Sequence, residues 1–231
     1  MKTLLSCLRA LCSLAVRLAL PCVLPCVAIG AGAQAHISYV QSVYQTNAMS
    51  FGLAVDASGT VYVPDVNQQN IYKETFTNGV PTKTVAVAGR GAINLAVDSA
   101  GDLYLADGSL VYKETLSSGV YTESSIGSGF NYAYAIAVDS SGALYIADNG
   151  NNQVVKETPG AGGTYTQSVL FTGLNNPEGV AVDSGGDVYI ADTNNNRVLK
   201  ETLSGGTYTQ STLGSGLSAP QGIGLDGHGD V

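Results

Sequence analysis

One stretch, GVAVDSGGDVYIADTNNNRVLKE at residues 179–201, constrains this chain more than any other, because it recurs. It returns as GLAVDASGTVYVPDVNQQNIYKE from Gly52, NLAVDSAGDLYLADGSLVYKE from Asn94 and AIAVDSSGALYIADNGNNQVVKE from Ala135, with a shorter copy, GIGLDGHGDV, from Gly222. The aspartates that open each turn, Asp56, Asp98, Asp139, Asp183 and Asp226, are spaced 42, 41, 44 and 43 residues apart. A fixed period of this length means that one unit cannot bury its own apolar face and must stack on its neighbours.

Each unit reads as four strands. Gly179 and Ala181 alternate with Val180 and Val182, a period of two that belongs to a strand, and both faces are apolar, so both are expected to be buried. An Asp-x-x-Gly turn follows, where aspartate accepts local N–H groups and glycine takes a positive φ. The second strand carries Tyr62, Tyr104, Tyr145 or Tyr189, expected to be core between units. A polar loop leads to a third strand and a Gly/Ser turn to a fourth. No segment has a sustained helical period. Four-stranded antiparallel meanders repeated at this spacing predict an all-β propeller with one meander per blade.

Residues 1–35 stand apart. Lys2, Arg9 and Arg17 precede an apolar run, Leu18 to Ile29, and Ala33-Gln34-Ala35 offers a small-residue cleavage site. These features predict a secretory signal peptide removed after Ala35, and hence a secreted or periplasmic protein that does not insert in a membrane once the leader is gone. The propeller is assigned to residues 36–231. All four cysteines lie in the leader, so the mature chain is expected to reach an oxidising compartment without disulfides. It retains seven Lys/Arg against eighteen Asp/Glu, a net charge of −11, which argues against nucleic acid as a partner. Residues 37–44 resemble a fourth strand, and the last unit stops at Val231. The propeller is therefore expected to be incomplete at its C-terminal end, with four whole blades and partial segments on either side.

The recurring G-[VI]-A-V-D-x-x-G-[DN]-[VL]-Y-[VI]-A-D-x-x-N-N-R-[VI] pattern resembles the NHL repeat, most closely at residues 179–198. The resemblance implies a six-bladed propeller, as in secreted bacterial NHL-repeat proteins and, similarly, the sensor domains of bacterial receptor kinases. In the family an arginine follows the loop asparagines. Only Arg197 keeps it here; Asn70 and Gln153 stand in the corresponding places, so an Asp192–Arg197 pair is not expected to recur as a clamp around the ring. The resemblance also brings in lyases and lactonases, the latter with a metal held by acidic and amide side chains in the central channel.

Candidate sites are sparse. His36 and His228 are placed where neither serves a shared pocket, no G-x-S-x-G occurs, and the aspartate pairs Asp98/Asp102, Asp183/Asp187 and Asp226/Asp230 suit turn formation, with calcium at the turns left open. No catalytic residue, metal ligand or cofactor is assigned, and the chain is expected not to be an enzyme. Strand parity places the loops after the second and fourth strands on one face. That face is rich in amides, with Phe130, Tyr132 and Tyr134 and the cation Arg90; Asn194 and Arg197 complete the candidate binding set. The expected function is non-catalytic capture of a protein, peptide or glycan through these loops. The alternatives are a lactonase- or lyase-like enzyme with a channel metal and a structural component of the cell envelope.

Overall fold

The computed structural model describes residues 52–231 apart from 215 and 227–230, so the expected leader, the strand at 37–44 and His228 lie outside the described residues. Sixteen strands form four antiparallel sheets of four, each in simple sequential order. The first comprises β1 (Ala54–Val55), β2 (Val61–Asp65), β3 (Asn70–Thr77) and β4 (Val80–Ala88). The second holds β5 (Asn94–Val97), β6 (Leu103–Asp107), β7 (Leu110–Ser117) and β8 (Val120–Ile126). The third holds β9 (Ala133–Val138), β10 (Leu144–Asp148), β11 (Gln153–Pro159) and β12 (Tyr165–Phe171). The fourth holds β13 (Pro177–Val182), β14 (Val188–Asp192), β15 (Arg197–Ser204) and β16 (Thr207–Leu213). The expected all-β architecture of propeller blades is what the chain forms.

First strands meet first strands: β9 packs against both β5 and β13, and β1 against β5. They line the axis, while the fourth strands, with mostly exposed Thr, Ser and Gln, form the rim. The core is correspondingly divided into layers between blades. Ile136 joins Tyr104, Ile126 and Phe130 in the layer between the second and third sheets. Ala135, one residue earlier on the same strand, joins Tyr145, Val180 and Ile190 in the next layer. This is why the first strand is apolar on both faces: each face belongs to a different layer.

The tyrosines of the second strand are 1–2 % exposed, as expected of core residues. Each sends its hydroxyl back to the turn aspartate of its own blade: Tyr62 to Asp56 at 3.3 Å, Tyr104 to Asp98 at 3.0 Å, Tyr145 to Asp139 at 3.2 Å and Tyr189 to Asp183 at 3.1 Å. The other carboxylate oxygen accepts two backbone N–H groups; for Asp139 these come from Ser141 at 2.8 Å and Ala143 at 3.0 Å. The turn glycine closes the loop at φ of +82° to +87°. A buried hydroxyl thus finds its acceptor locally, and the hairpin is fixed to the layer behind it. Asp102 and Asp187 do not pair with the turn aspartates. They accept from Lys113 at 2.8 Å and Lys200 at 2.9 Å, tying the turn to the third strand.

Candidate functional site

The second strand ends in an aspartate: Asp65, Asp148 and Asp192 are buried, Asp107 half-buried. Each fully buried one organises the loop that follows. Asp148 accepts the Asn131 N–H at 2.8 Å with one oxygen, and the side-chain amides of Asn151 and Gln153, both at 2.8 Å, with the other. Asp192 accepts the Asn175 N–H at 2.7 Å, the Asn195 amide at 2.9 Å and Arg197 Nε at 2.6 Å. A buried carboxylate is tolerated only with its lone pairs filled in this way. The Asp192–Arg197 ion pair does not recur, but the clamp does: Gln153 occupies the place of Arg197 and donates to the equivalent oxygen. In the third blade an amide N–H thus supplies the same geometry without the charge.

A single 3-10 turn follows Asp148 and Asp192, at Asn149–Asn151 and Thr193–Asn195, and ends on a left-handed asparagine, Asn152 (φ 56°) or Asn196 (φ 55°). Those asparagines reach the next blade. Asn152 Oδ1 accepts the Asn176 N–H at 2.8 Å and Asn196 Oδ1 accepts the Ala219 N–H at 2.9 Å. Asn149 Nδ2 donates to the Pro177 carbonyl at 3.2 Å, and Thr193 Oγ1 to the Pro220 carbonyl at 2.8 Å. The amides on this face therefore latch successive blades and fix the positions at which the first strands begin.

At those beginnings, Tyr134, Glu178 and Gln221 occupy equivalent places in three successive repeats, each just before the recurring unit. They stand at the loop end of the first strands, which pack on one another around the axis. Asn176 Nδ2 donates to Glu178 Oε1 at 2.8 Å, whereas Glu178 Oε2 is buried with no hydrogen-bond partner. The Tyr134 hydroxyl is pushed above its ordinary value by burial, then by the Glu178 carboxylate and Tyr132, so it stays protonated at neutral pH. Tyr132 is 50 % exposed, its ring centroid 5.9 Å from that of Tyr134.

The predicted binding residues are not all gathered here. Phe130 is 6 % exposed and belongs to the layer between the second and third sheets, so its expected place among exposed aromatics is corrected. A ring flanked by Ile126 and Val155 buries more apolar area than the loop face offers. Arg90 lies instead in a groove at the rim, paired with Glu123 of β8 at 2.5 Å and stacked 4.0 Å over Tyr112. Asn194 and Arg197 are on the expected face but are already engaged, Asn194 with Asn175 of the β12–β13 connection and Arg197 with Asp192. Tyr132 and Tyr134 are at the loop end of the first strands. Glu178 was not singled out from the sequence, although a signal exists: it is a charge where the other repeats carry Phe51, Ile93, Tyr134 and Gln221.

The NHL repeat family matches residues 130–156 and 174–200, the third and fourth blades. Among solved structures, a streptogramin B lyase is similar with a TM-score of 0.60 and 19 % identity over 79 % of this chain and 61 % of that one. A gluconolactonase from Xanthomonas campestris gives 0.59 and 15 % over 77 % and 65 %, and a nidogen/laminin complex 0.65 and 19 % over 79 % and 70 %. The chain thus spans less than two thirds of the lyase and the lactonase. No curated protein sequence shows significant similarity to it. The chain has a β-propeller fold, two of its blades match the NHL repeat, and the same fold is found in enzymes and in other proteins. The expectation that it is not an enzyme is corrected by these likenesses: lyases and lactonases are built on the same frame, and lack of a histidine-based signature does not exclude their chemistry.

Among the described residues no three His, Cys, Asp or Glu side chains gather to hold a metal ion, and the buried aspartates that end the second strands are filled by their own loops. No helix of the described residues is long and apolar enough to cross a membrane.

Proposed function

We propose that the chain is an acid–base hydrolase or lyase of the propeller type, acting on a small cyclic ester at the loop end of the first strands. The observation that carries this reading is Glu178: a carboxylate oxygen left without a hydrogen-bond partner, whose charge acts on the protonated Tyr134 hydroxyl. Such an oxygen is poised to take a proton, and Asn176 holds the group in one orientation. In the hydrolytic form Glu178 takes a proton from a water molecule while the water oxygen bonds to the ester carbonyl carbon. The Tyr134 hydroxyl donates a hydrogen bond to the developing oxyanion. The ring C–O bond then breaks, and the proton returns from Glu178 to the leaving alkoxide. The likeness to a gluconolactonase and a streptogramin B lyase supports a reaction of this class.

The test is turnover of a panel of five- and six-membered lactones by the purified protein, followed by proton release. Glu178→Gln is expected to lower kcat by about 100-fold or more, the usual range for a positioned base, with the melting temperature unchanged. Absence of lactone turnover in the parent protein, or full activity in the variant, would overturn the reading.

A further inference from the structure

We propose that the rim groove between the first and second blades binds a primary ammonium group carried on a short apolar stem. It is a second site, separate from the residues assigned to the lactone reaction.

The first observation is a like-charge pair set by strand register. In each blade the buried glutamate of the third strand faces one residue of the fourth. Glu74 stands opposite Lys83, Glu157 opposite Gln167 and Glu201 opposite Gln210, all of them facing side chains that carry N–H groups. Of these four blades only the second sets a glutamate, Glu114, opposite another, Glu123. Like charges directly opposite one another destabilise a sheet. Glutamine would serve the fold better, as Gln210 does by donating to Glu201 at 2.6 Å. Glu114 is 3 % exposed, and the side chain within hydrogen-bonding reach of it is the Glu123 carboxylate. Burial, and then that charge, raise the Glu114 carboxyl above its ordinary 4.5. Arg90 does not relieve the crowding. Its Nε, at 2.7 Å, and its Nη2 both go to the same oxygen, Oε2 of Glu123, and its guanidinium is held over Tyr112. Among the described residues no N–H group reaches Glu114 or Oε1 of Glu123.

The second observation is a cavity at that place. A groove of about 500 Å³ opens between β4 and β8, lined by Glu114, Glu123 and Arg90 together with Val87, Val120 and Tyr121. The Tyr121 hydroxyl donates to the Gly101 carbonyl at 3.2 Å and fixes that wall, while Val120 is left exposed. In the next layer the corresponding opening is bridged, because Gln167 reaches both backbone groups of Ser128 at 3.0 Å. An ionised glutamate cannot donate to a carbonyl, so Glu123 makes no such bridge.

A groove with an apolar wall and two carboxylates against one guanidinium suits a cation on an apolar stem. The stem covers the valines while the head donates to the carboxylates. A calcium ion fits less well, since it takes about six to eight oxygen ligands and no third acidic side chain gathers here among the described residues.

The test is calorimetric titration of the full chain with hexylammonium, with 1-hexanol, which has the same stem without the charge, and with calcium. Hexylammonium is expected to bind about tenfold or more tightly than hexanol, the usual worth of a hydrogen bond to a charged group. Glu123→Gln removes one carboxylate and sets a donor opposite Glu114. It should abolish that preference without lowering the melting temperature and without changing lactone turnover. Nα-acetyl-lysine amide, titrated alongside, distinguishes a protein lysine from a free amine by which of the two binds more tightly. Equal binding of hexylammonium and hexanol, saturation by calcium in place of hexylammonium, or an unchanged preference in Glu123→Gln would overturn the inference. A lower melting temperature in that variant would do so too, because the pair would then serve the fold. The catalytic reading rests on Glu178 and Tyr134, so the failure of either proposal leaves the other standing.

Discussion

Glu157 should destabilise the protein that contains it, and its replacement by methionine tests this. The third strand of every blade carries a buried glutamate, Glu74, Glu114, Glu157 or Glu201, opposite a fourth-strand residue: Lys83, Glu123, Gln167 or Gln210. Gln210 donates to Glu201 at 2.6 Å. Gln167 instead turns to the preceding blade, where it accepts from Ser128 N and donates to Ser128 O, both at 3.0 Å. Glu157 is left 0 % exposed with both oxygens unpartnered, against Gly127 and close to Phe130. Leaving such a group unsatisfied costs about 1–3 kcal/mol, more when it is charged. Glu157→Met keeps the length, adapts to the slot and removes the polar atoms, so it should stabilise the fold by that amount. For a domain of this size the gain corresponds to a rise in melting temperature of about 2–12 °C.

The sign of the pH dependence follows from the same burial. Desolvation raises the Glu157 carboxyl above its ordinary 4.5, with no charged group contributing. Below that ordinary value the carboxyl is protonated in both the folded and unfolded chain. As pH rises past it, the unfolded chain releases the proton first, so stability is lost until the folded carboxyl also ionises. Glu114, raised by burial and by Glu123, acts in the same direction, so the measurement is the difference between parent and variant. Thermal unfolding at pH 4.5 and pH 8 should show the advantage of Glu157→Met growing with pH. A lower melting temperature in the variant, or a difference constant with pH, would refute the reasoning and imply that the carboxylate is solvated in place.

Two further outcomes follow from the clamp and the turns. Arg197→Ala removes one of three donors from the fully buried Asp192 and should cost about 1–3 kcal/mol in urea unfolding, whereas Arg197→Gln, which copies Gln153, should recover most of it. Asp56 and Asp139 are lowered from 3.8 despite the opposing effect of burial, by hydrogen bonds that include those from Ser58 and Ser141, so they stabilise the folded chain above that value. That stability should be lost as pH falls through their depressed values, and Asp139→Asn should diminish the acid-induced loss measured by circular dichroism.

The repeat made the blade legible. Strand alternation, the Asp-x-x-Gly turn and the tyrosine of the second strand are set within a few residues of one another, so spacing alone predicts them. The fate of Phe130, by contrast, depends on the layer that the third blade builds against the second, and no local pattern distinguishes its ring from that of Tyr132. Arg197 and Gln153 look unlike in sequence, yet both donate to a buried aspartate, because the acceptor fixes the geometry and either side chain reaches it. Tertiary structure alone decided that Gln167 would leave Glu157 for Ser128, and that Glu178 would meet Tyr134 at the axis. In each case the partner comes from an adjacent blade, and a contact across a packing layer is determined by how the layers approach rather than by neighbours along the chain.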